Sequence, residues 1–348
     1  MLLLVVLGVC ASILDYGIES GVRGLSDLRN LLLSMESMQS TSSIKFLVWS
    51  AFTFTVALLG MLCTRFVDPI AAGSGIPEMK NIISCDLRKE ADDFLGRRTL
   101  VSKAVGLMLA MGSGISLGKE GPFVHTASII AHQLMKHIGF FQRIYESAIL
   151  RRHMYNAACA VGIASTFRAP IGGVLFAIEV TSTVFMVTNY WRAFVAAISA
   201  SIARQLISLI RETEVTAFHP IDIIPGGYAL VGGVAFVGSA THTVSVAVIA
   251  MEFTGQFIYI TPLILAVLLA SGIGSALSVS LYESIIISKG LTYLPLLRVN
   301  QLEGFTARDV MDAGFSLIPL DTSSLQLQSV LDRTRPPTHF RWSSLWRP

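Results

Sequence analysis

The sequence predicts an all-α polytopic membrane protein whose helices are broken part-way through the bilayer. Two observations carry this. First, 53% of the 348 residues are hydrophobic and only 14% are charged, against about 25% charged in soluble domains. Second, three short segments interrupt apolar stretches with glycine and proline. They are Gly73-Ser74-Gly75-Ile76-Pro77-Glu78, Gly118-Lys119-Glu120-Gly121-Pro122 and Ala169-Pro170-Ile171-Gly172-Gly173. Lipid cannot hydrogen-bond a broken backbone, so such breaks persist only inside protein or beside a water-filled cavity. Ionisable residues at that depth mark a transport path. The freed amides of a half-helix N-terminus present a positive dipole end. The simplest occupant opposite them is an anion.

Apolar segments recur at roughly 1–14, 46–63, 104–117, 123–135, 155–187, 193–210, 226–251 and 257–282, and about 20 apolar residues cross a bilayer. Several are shorter or carry glycine and proline, which predicts tilted and partial-depth helices. Residues 1–14 resemble a signal-peptide core. They lack a basic leading region and a small-x-small cleavage site, so they read as a membrane segment. The abrupt apolar start reads as a truncation. The loop from Lys80 to Arg98 is mixed in charge, Arg143, Arg151 and Arg152 mark a second polar connector, and from Arg298 onward the chain reads as a soluble tail.

A faint repeat lies within. Shifted by 73 residues, Tyr155–Thr181 falls on Tyr228–Thr254. Tyr155 meets Tyr228, Val161 meets Val234, Ala177 meets Ala250, Glu179 meets Glu252 and Thr181 meets Thr254. Five identities are weak evidence in low-complexity apolar helices. Transporters built from internal repeats do place their sites where the repeats meet.

Composition and pattern also exclude. A net charge of +3 with no basic stripe speaks against nucleic acid. Cys10, Cys63, Cys85 and Cys159 form no disulfide framework and share no metal-like spacing. Gly112 to Lys119 mimics a phosphate loop, but five residues precede Gly118 rather than four, and Glu120 replaces the Ser/Thr that would hold magnesium. No nucleophile–base–acid set appears, so an enzyme is not expected, nor a cofactor or resident metal.

The three broken segments name a family. Gly73–Glu78, Gly118–Pro122 continuing through Phe123-Val124-His125, and Gly162-Ile163-Ala164-x-x-Phe167-x-Ala169-Pro170-Ile171-Gly172-Gly173-x-Leu175-Phe176-x-x-Glu179 resemble the signature motifs of the CLC chloride channels and transporters, in order and spacing. Val180-Thr181-Ser182-Thr183, Asn189-Tyr190-Trp191-Arg192, Ser280-Leu281-Tyr282 and Leu291-x-Tyr293-Leu294-Pro295 look like the animal muscle and epithelial branch. The resemblance implies a CLC-type inverted-repeat helical fold, with one pore per subunit of a homodimer, in a membrane expected to be the plasma membrane. It implies a chloride-binding set of Ser74, Gly75, Ile76, Gly118, Glu120, Gly121 and Tyr282. Ser74 and Tyr282 would offer hydroxyls to a central anion, and Glu120 would be the gate. A carboxylate and chloride are both monoanions, so the same amide donors suit either. In the exchanger branch a second glutamate follows the position of Glu179 and relays protons. Here that position is Val180, which carries none, so a passive channel, voltage- or chloride-gated, is expected over a chloride/proton exchanger.

Each of these residues also has a plainer reading. Glu120 could pair with Lys119, Ser74 could cap the following helix, and Tyr282 could be an interfacial anchor. Glu179 and Glu252 read as buried, hydrogen-bonded structural acids, Arg168 as lying near a vestibule, and His125 as packed and satisfied.

The chain also departs from the family pattern. Only 14 residues separate Ile210 from Pro225, where the family places about helices J to N. Those helices include a Gly-x-Phe-x-Pro motif whose amides complete the anion site, and this chain has no such motif. The expectation is a membrane region over 1–297, about helices B to I then O to R, with the second repeat incomplete. A tail over 298–348 follows, with a partial CBS-like segment at about 305–332. Either this is a chloride channel subunit, or it is a non-conducting chain that binds full-length CLC partners through the surviving helices H, I, P and Q.

Overall fold

The computed structural model describes residues 1–34, 42–85, 88–181, 188–210, 225–255 and 259–291. Among these the regular structure is helical throughout. In chain order come α1 (Leu2–Ser34), α2 (Ser42–Val67), α3 (Ile76–Cys85), α4 (Arg88–Phe94), α5 (Arg97–Gly112), α6 (Glu120–His137) and α7 (Gln142–Glu146). They are followed by α8 (Ala148–Phe167), α9 (Pro170–Thr181), α10 (Thr188–Ile210), α11 (Pro225–Thr241), α12 (Val246–Thr254), α13 (Ile260–Leu277) and α14 (Leu281–Ser288). Stretches beginning at Leu2, Ser43 and Ile260 are long and apolar enough to cross a membrane. The tail with its CBS-like segment lies outside the described residues, as do residues 211–224.

All three breaks fall where glycine and proline placed them. The helices α3, α6 and α9 begin at Ile76, Glu120 and Pro170. The described part of the run 155–187 is therefore parted at Arg168 and Ala169 into α8 and α9, and 226–251 is likewise split between α11 and α12. The segment expected over 1–14 instead runs on to Ser34. It continues because Asp15 and Glu19 find cationic partners elsewhere in the fold, described below.

The core is built around α8. Its residues from Met154 to Ser165 are buried throughout, with α6, α9, α10 and α1 packed about it. Small residues let the backbones close in, as membrane helices require. A methyl at Gly162 would stand 2.7 Å from the Val124 backbone, and one at Gly8 2.7 Å from the Ala196 carbonyl. Ser12 Oγ donates to the Ala200 carbonyl at 2.7 Å, joining α1 to α10. By contrast α2 leaves Phe46, Leu47, Phe54, Met61 and Phe66 exposed, as a lipid-facing helix would.

Near α4 a polar knot ties α6 to α7 and α8. His132 Nδ1 lies 2.8 Å from the Tyr155 hydroxyl, and Tyr145 donates to Asp92 at 2.5 Å. Burial pushes the Asp92 carboxyl up, but the Tyr145 hydroxyl and Lys136 outweigh it and hold it below the usual carboxylate range.

The repeat is real in three dimensions. The two described non-glycine residues with positive φ are Arg168 (56°) and His242 (57°), one at the α8/α9 joint and one at the α11/α12 joint. More telling, the terminal glutamates cap each other's helices. Glu252, on α12, accepts from the Ile171 amide at 3.1 Å and the Gly172 amide at 2.6 Å. Glu179, on α9, accepts from the Ser245 amide at 3.2 Å and its hydroxyl at 2.7 Å. Gly172 and Ser245 are themselves related by the 73-residue shift, so the two contacts map onto each other as a two-fold pair. Glu179 and Glu252 are hydrogen-bonded as expected, but they are not buried. Glu179 is exposed and Glu252 half-buried, because each carboxylate meets the outer first turn of its partner helix.

Each cap satisfies amides that a helix start leaves open. Replacing Glu252 by alanine is expected to destabilise the purified chain by about 1.5–3 kcal/mol, the scale of a hydrogen bond to a charged group. Glu252→Gln, which keeps an acceptor, is expected to lose less. Thermal unfolding in detergent measures both, and an unchanged midpoint for Glu252→Ala would deny the cap any role in stability.

Candidate anion site

Three helix N-termini converge, and the sequence-predicted residues sit at them. Gly73 and Gly75 have φ of 90° and 88°, a conformation glycine adopts without strain. They swing Ser74 to the start of α3. Its Oγ accepts the Ile76 amide at 3.2 Å, so the capping reading of Ser74 holds. Ile76 is buried. A methyl on Gly75 would also stand 2.6 Å from His125 Cβ and 2.8 Å from its ring, which seals this turn from behind. His125 is fully buried, stacks on Phe94 at 3.9 Å between centroids, and has Nε2 at 3.1 Å from the Phe94 carbonyl. Among the described residues its Nδ1 has no hydrogen-bond partner, so it is packed but only half satisfied there.

Glu120 opens α6. Its carboxylate folds back over Gly118, where a methyl would come within 2.6 Å of Oε2. Gly121 presses on the first loop, where a methyl would stand 2.9 Å from Ser74 Cβ and 3.0 Å from its Oγ. Only glycines at 118 and 121 leave room for the carboxylate and the serine together. Tyr282, at the start of α14, lies edge-on to Phe176 at 6.4 Å. It is half-buried and packs against the main core. Ser74, Gly118, Glu120 and Gly121 thus meet from two loops far apart in sequence, and Tyr282 stands on a helix packed against α3. Hydroxyls, helix-start amides and a competing carboxylate form a set suited to a small anion.

Several contributors escaped the sequence reading. Lys103, buried on α5, donates to the carbonyls of Ala71 at 2.9 Å and Gly73 at 2.5 Å, so it braces the loop that carries Ser74. Lys289 pairs with Glu78 and Lys80 with Glu283 at 3.5 Å. These reciprocal pairs lash α14 to α3 and so fix Tyr282 relative to Ser74. A lysine inside an apolar helix was the available signal for Lys103. Lys119 does not pair with Glu120. It reaches α1 instead, 3.0 Å from Asp15 and 2.7 Å from Glu19. Val180 is buried. Arg168 is an exposed, left-handed C-cap of α8.

In the loop before Glu120, Ile115 and Leu117 are 47% and 49% exposed, and no described segment covers them.

Comparison with known proteins agrees with this geometry. The family model described as voltage gated chloride channel matches residues 55–220 and 213–275, two pieces that meet at the short connector. The chloride channel protein clh-3 of Caenorhabditis elegans is 40% identical over 220 residues, covering 63% of this chain and 21% of its own length. Chloride channel protein 2 of Oryctolagus cuniculus is 26% identical over 523 aligned residues, covering 96% of this chain and 58% of its own length. Since this chain has 348 residues, at least 175 of those positions fall opposite gaps in it. The chain thus spans well under two thirds of these relatives. A crystal structure of a eukaryotic CLC transporter superposes with a TM-score of 0.74 at 26% identity, covering 95% of this chain and 82% of the other. A slow cyanobacterial Cl−/H+ antiporter shares the fold at a TM-score of 0.52 and 19% identity, covering 79% and 62%. The chain is a multi-pass membrane protein that belongs to the voltage gated chloride channel family.

Proposed function

We propose that this chain is built as a chloride-selective channel subunit gated by Glu120. The supporting observation is that Gly121 packs on Ser74 beside the Glu120 carboxylate, with Tyr282 on a helix that ion pairs tie to α3. Chloride is the permeant ligand, with Ser74, Gly75, Ile76, Gly118, Glu120, Gly121 and Tyr282 around it. No cofactor takes part and no chemistry is catalysed. The subunit pairs with itself or with full-length relatives, in the plasma membrane.

Val180 favours a channel over an exchanger, because a buried valine cannot pass a proton to Glu120. With the missing helices supplied from a close relative, chloride flow is expected to move no protons. The measurement is the reversal potential under a pH gradient at fixed chloride. A shift that persists after leak subtraction would make the protein an exchanger.

A second reading is favoured by the 14-residue connector between Ile210 and Pro225 and by the two-piece family match that meets there. The chain as it stands lacks the amides that close the site. In this reading it is a non-conducting subunit that binds full-length partners and modulates them.

A further inference from the structure

Four ionisable side chains meet inside the helical body where α1, α10 and the start of α6 touch. Asp15 and Glu19 are one turn apart on α1 and share a face. Lys119 Nζ stands 3.0 Å from Asp15 Oδ1 and 2.7 Å from Glu19 Oε1. Arg204, on α10, closes from the other side: its Nε is 3.4 Å from Asp15 Oδ2, and its Nη2 donates to Glu19. The Arg204 guanidinium also lies over the Tyr16 ring at 5.4 Å. The Asp15 and Arg204 side chains are 0% and 4% exposed. Two carboxylates offset two cations, which is what lets four charges occupy this depth.

The placement of Lys119 gives the cluster its meaning. Lys119 is the N-cap residue of α6 and uses its side chain for no cap bond. The next residue is Glu120, whose carboxylate turns back toward Gly118. The lysine ammonium, on a flexible four-carbon stem, is therefore drawn away from the carboxylate beside it. Left unanchored, it would compete with the helix-start amides for that carboxylate.

We propose that Asp15, Glu19 and Arg204 anchor Lys119 and thereby position Glu120, leaving its carboxylate free to exchange with an anion alone. They are positioning residues, and none touches chloride. The gating part rests on the reading of Glu120 as the gate, and the anchoring part does not.

The two parts separate experimentally. In the full 348-residue chain, Glu120 is labelled with glycine ethyl ester after carbodiimide activation and quantified by mass spectrometry. Asp15→Asn/Glu19→Gln frees the ammonium to pair with Glu120, and labelling is expected to fall about fivefold or more, the low end of a typical coupling between sites. Adding Lys119→Met removes the ammonium, and labelling is expected to return. General unfolding would affect both variants alike, so the difference between them is specific. If the double variant does not reach the membrane, Glu19→Gln alone, at a half-buried position, is compared with Glu19→Gln/Lys119→Met. Equal Glu120 labelling with and without Lys119 would overturn the proposal. The gating part is read in the helix-completed channel. There the freed lysine is expected to change open probability at fixed voltage, and to do so only when residue 120 is glutamate. An equal effect in a Glu120→Gln background would overturn the positioning role. No effect of Glu120→Gln itself would instead remove the gate reading and leave the anchor standing.

Discussion

Purified into liposomes, the 348-residue chain is expected to carry no chloride current above background, and yet to pull down a full-length family member. The first half follows from anion donors that the family pattern supplies and this sequence lacks. Chloride leaves its hydration shell only where donors replace the water. The family pattern takes some of those donors from a Gly-x-Phe-x-Pro segment that this chain lacks. Each hydrogen bond to a charged group is worth about 1.5–3 kcal/mol. Losing two weakens anion binding on the order of a hundredfold or more. The second half follows from α9 and α12. These helices are held together by the Glu179 and Glu252 caps, which do not depend on anything between Ile210 and Pro225. The faces that the family resemblance assigns to pairing can therefore form without the missing helices. Robust chloride-selective current would defeat the first half. Failure to co-purify, with both chains present in the membrane, would defeat the second.

Much of this was legible because glycine and proline act locally. The starts of α3, α6 and α9 were written at Ile76, Glu120 and Pro170, where the backbone must break whatever the rest of the fold does. The repeat was legible only faintly, since five identities cannot separate ancestry from apolar composition. Its proof lay in geometry, where Gly172–Glu252 and Ser245–Glu179 map onto each other. What stayed hidden was long-range pairing of charge. Asp15 and Glu19 looked like the end of an apolar segment, because their partner Lys119 lies 104 and 100 residues on. Arg204 is 185 residues from Glu19. No periodicity encodes such pairs, and without them α1 appears to stop near Leu14. Lys103 was hidden for the same reason, as its acceptors are loop carbonyls that become available only once the Gly73 turn is formed. The exposure of Glu179 was misjudged because a helix-capping acid can be bonded fully from outside the core.

With the missing helices restored, Glu120→Gln is expected to abolish most of the dependence of chloride current on voltage and external chloride while leaving a chloride-selective pore. The carboxylate beside Gly118 and Ser74 is an anion tethered next to an anion site, so it and chloride exclude each other there. Its charge also makes its position depend on the field across the membrane, by about 2.3 kcal/mol per elementary charge per 100 mV. Glutamine keeps the shape and an acceptor oxygen but loses that charge, so neither the field nor competing chloride has the same hold on it. Ser74 and Tyr282 are untouched, and selectivity should persist. Gly118→Ala offers an independent check. A methyl there would stand 2.6 Å from the carboxylate and should displace it without altering its charge, shifting the voltage dependence rather than removing it. Recordings of both variants against external chloride decide the matter. Gating by Glu120→Gln that keeps its original dependence on voltage and chloride would take Glu120 out of the role and leave the convergence of α3, α6 and α14 needing another purpose.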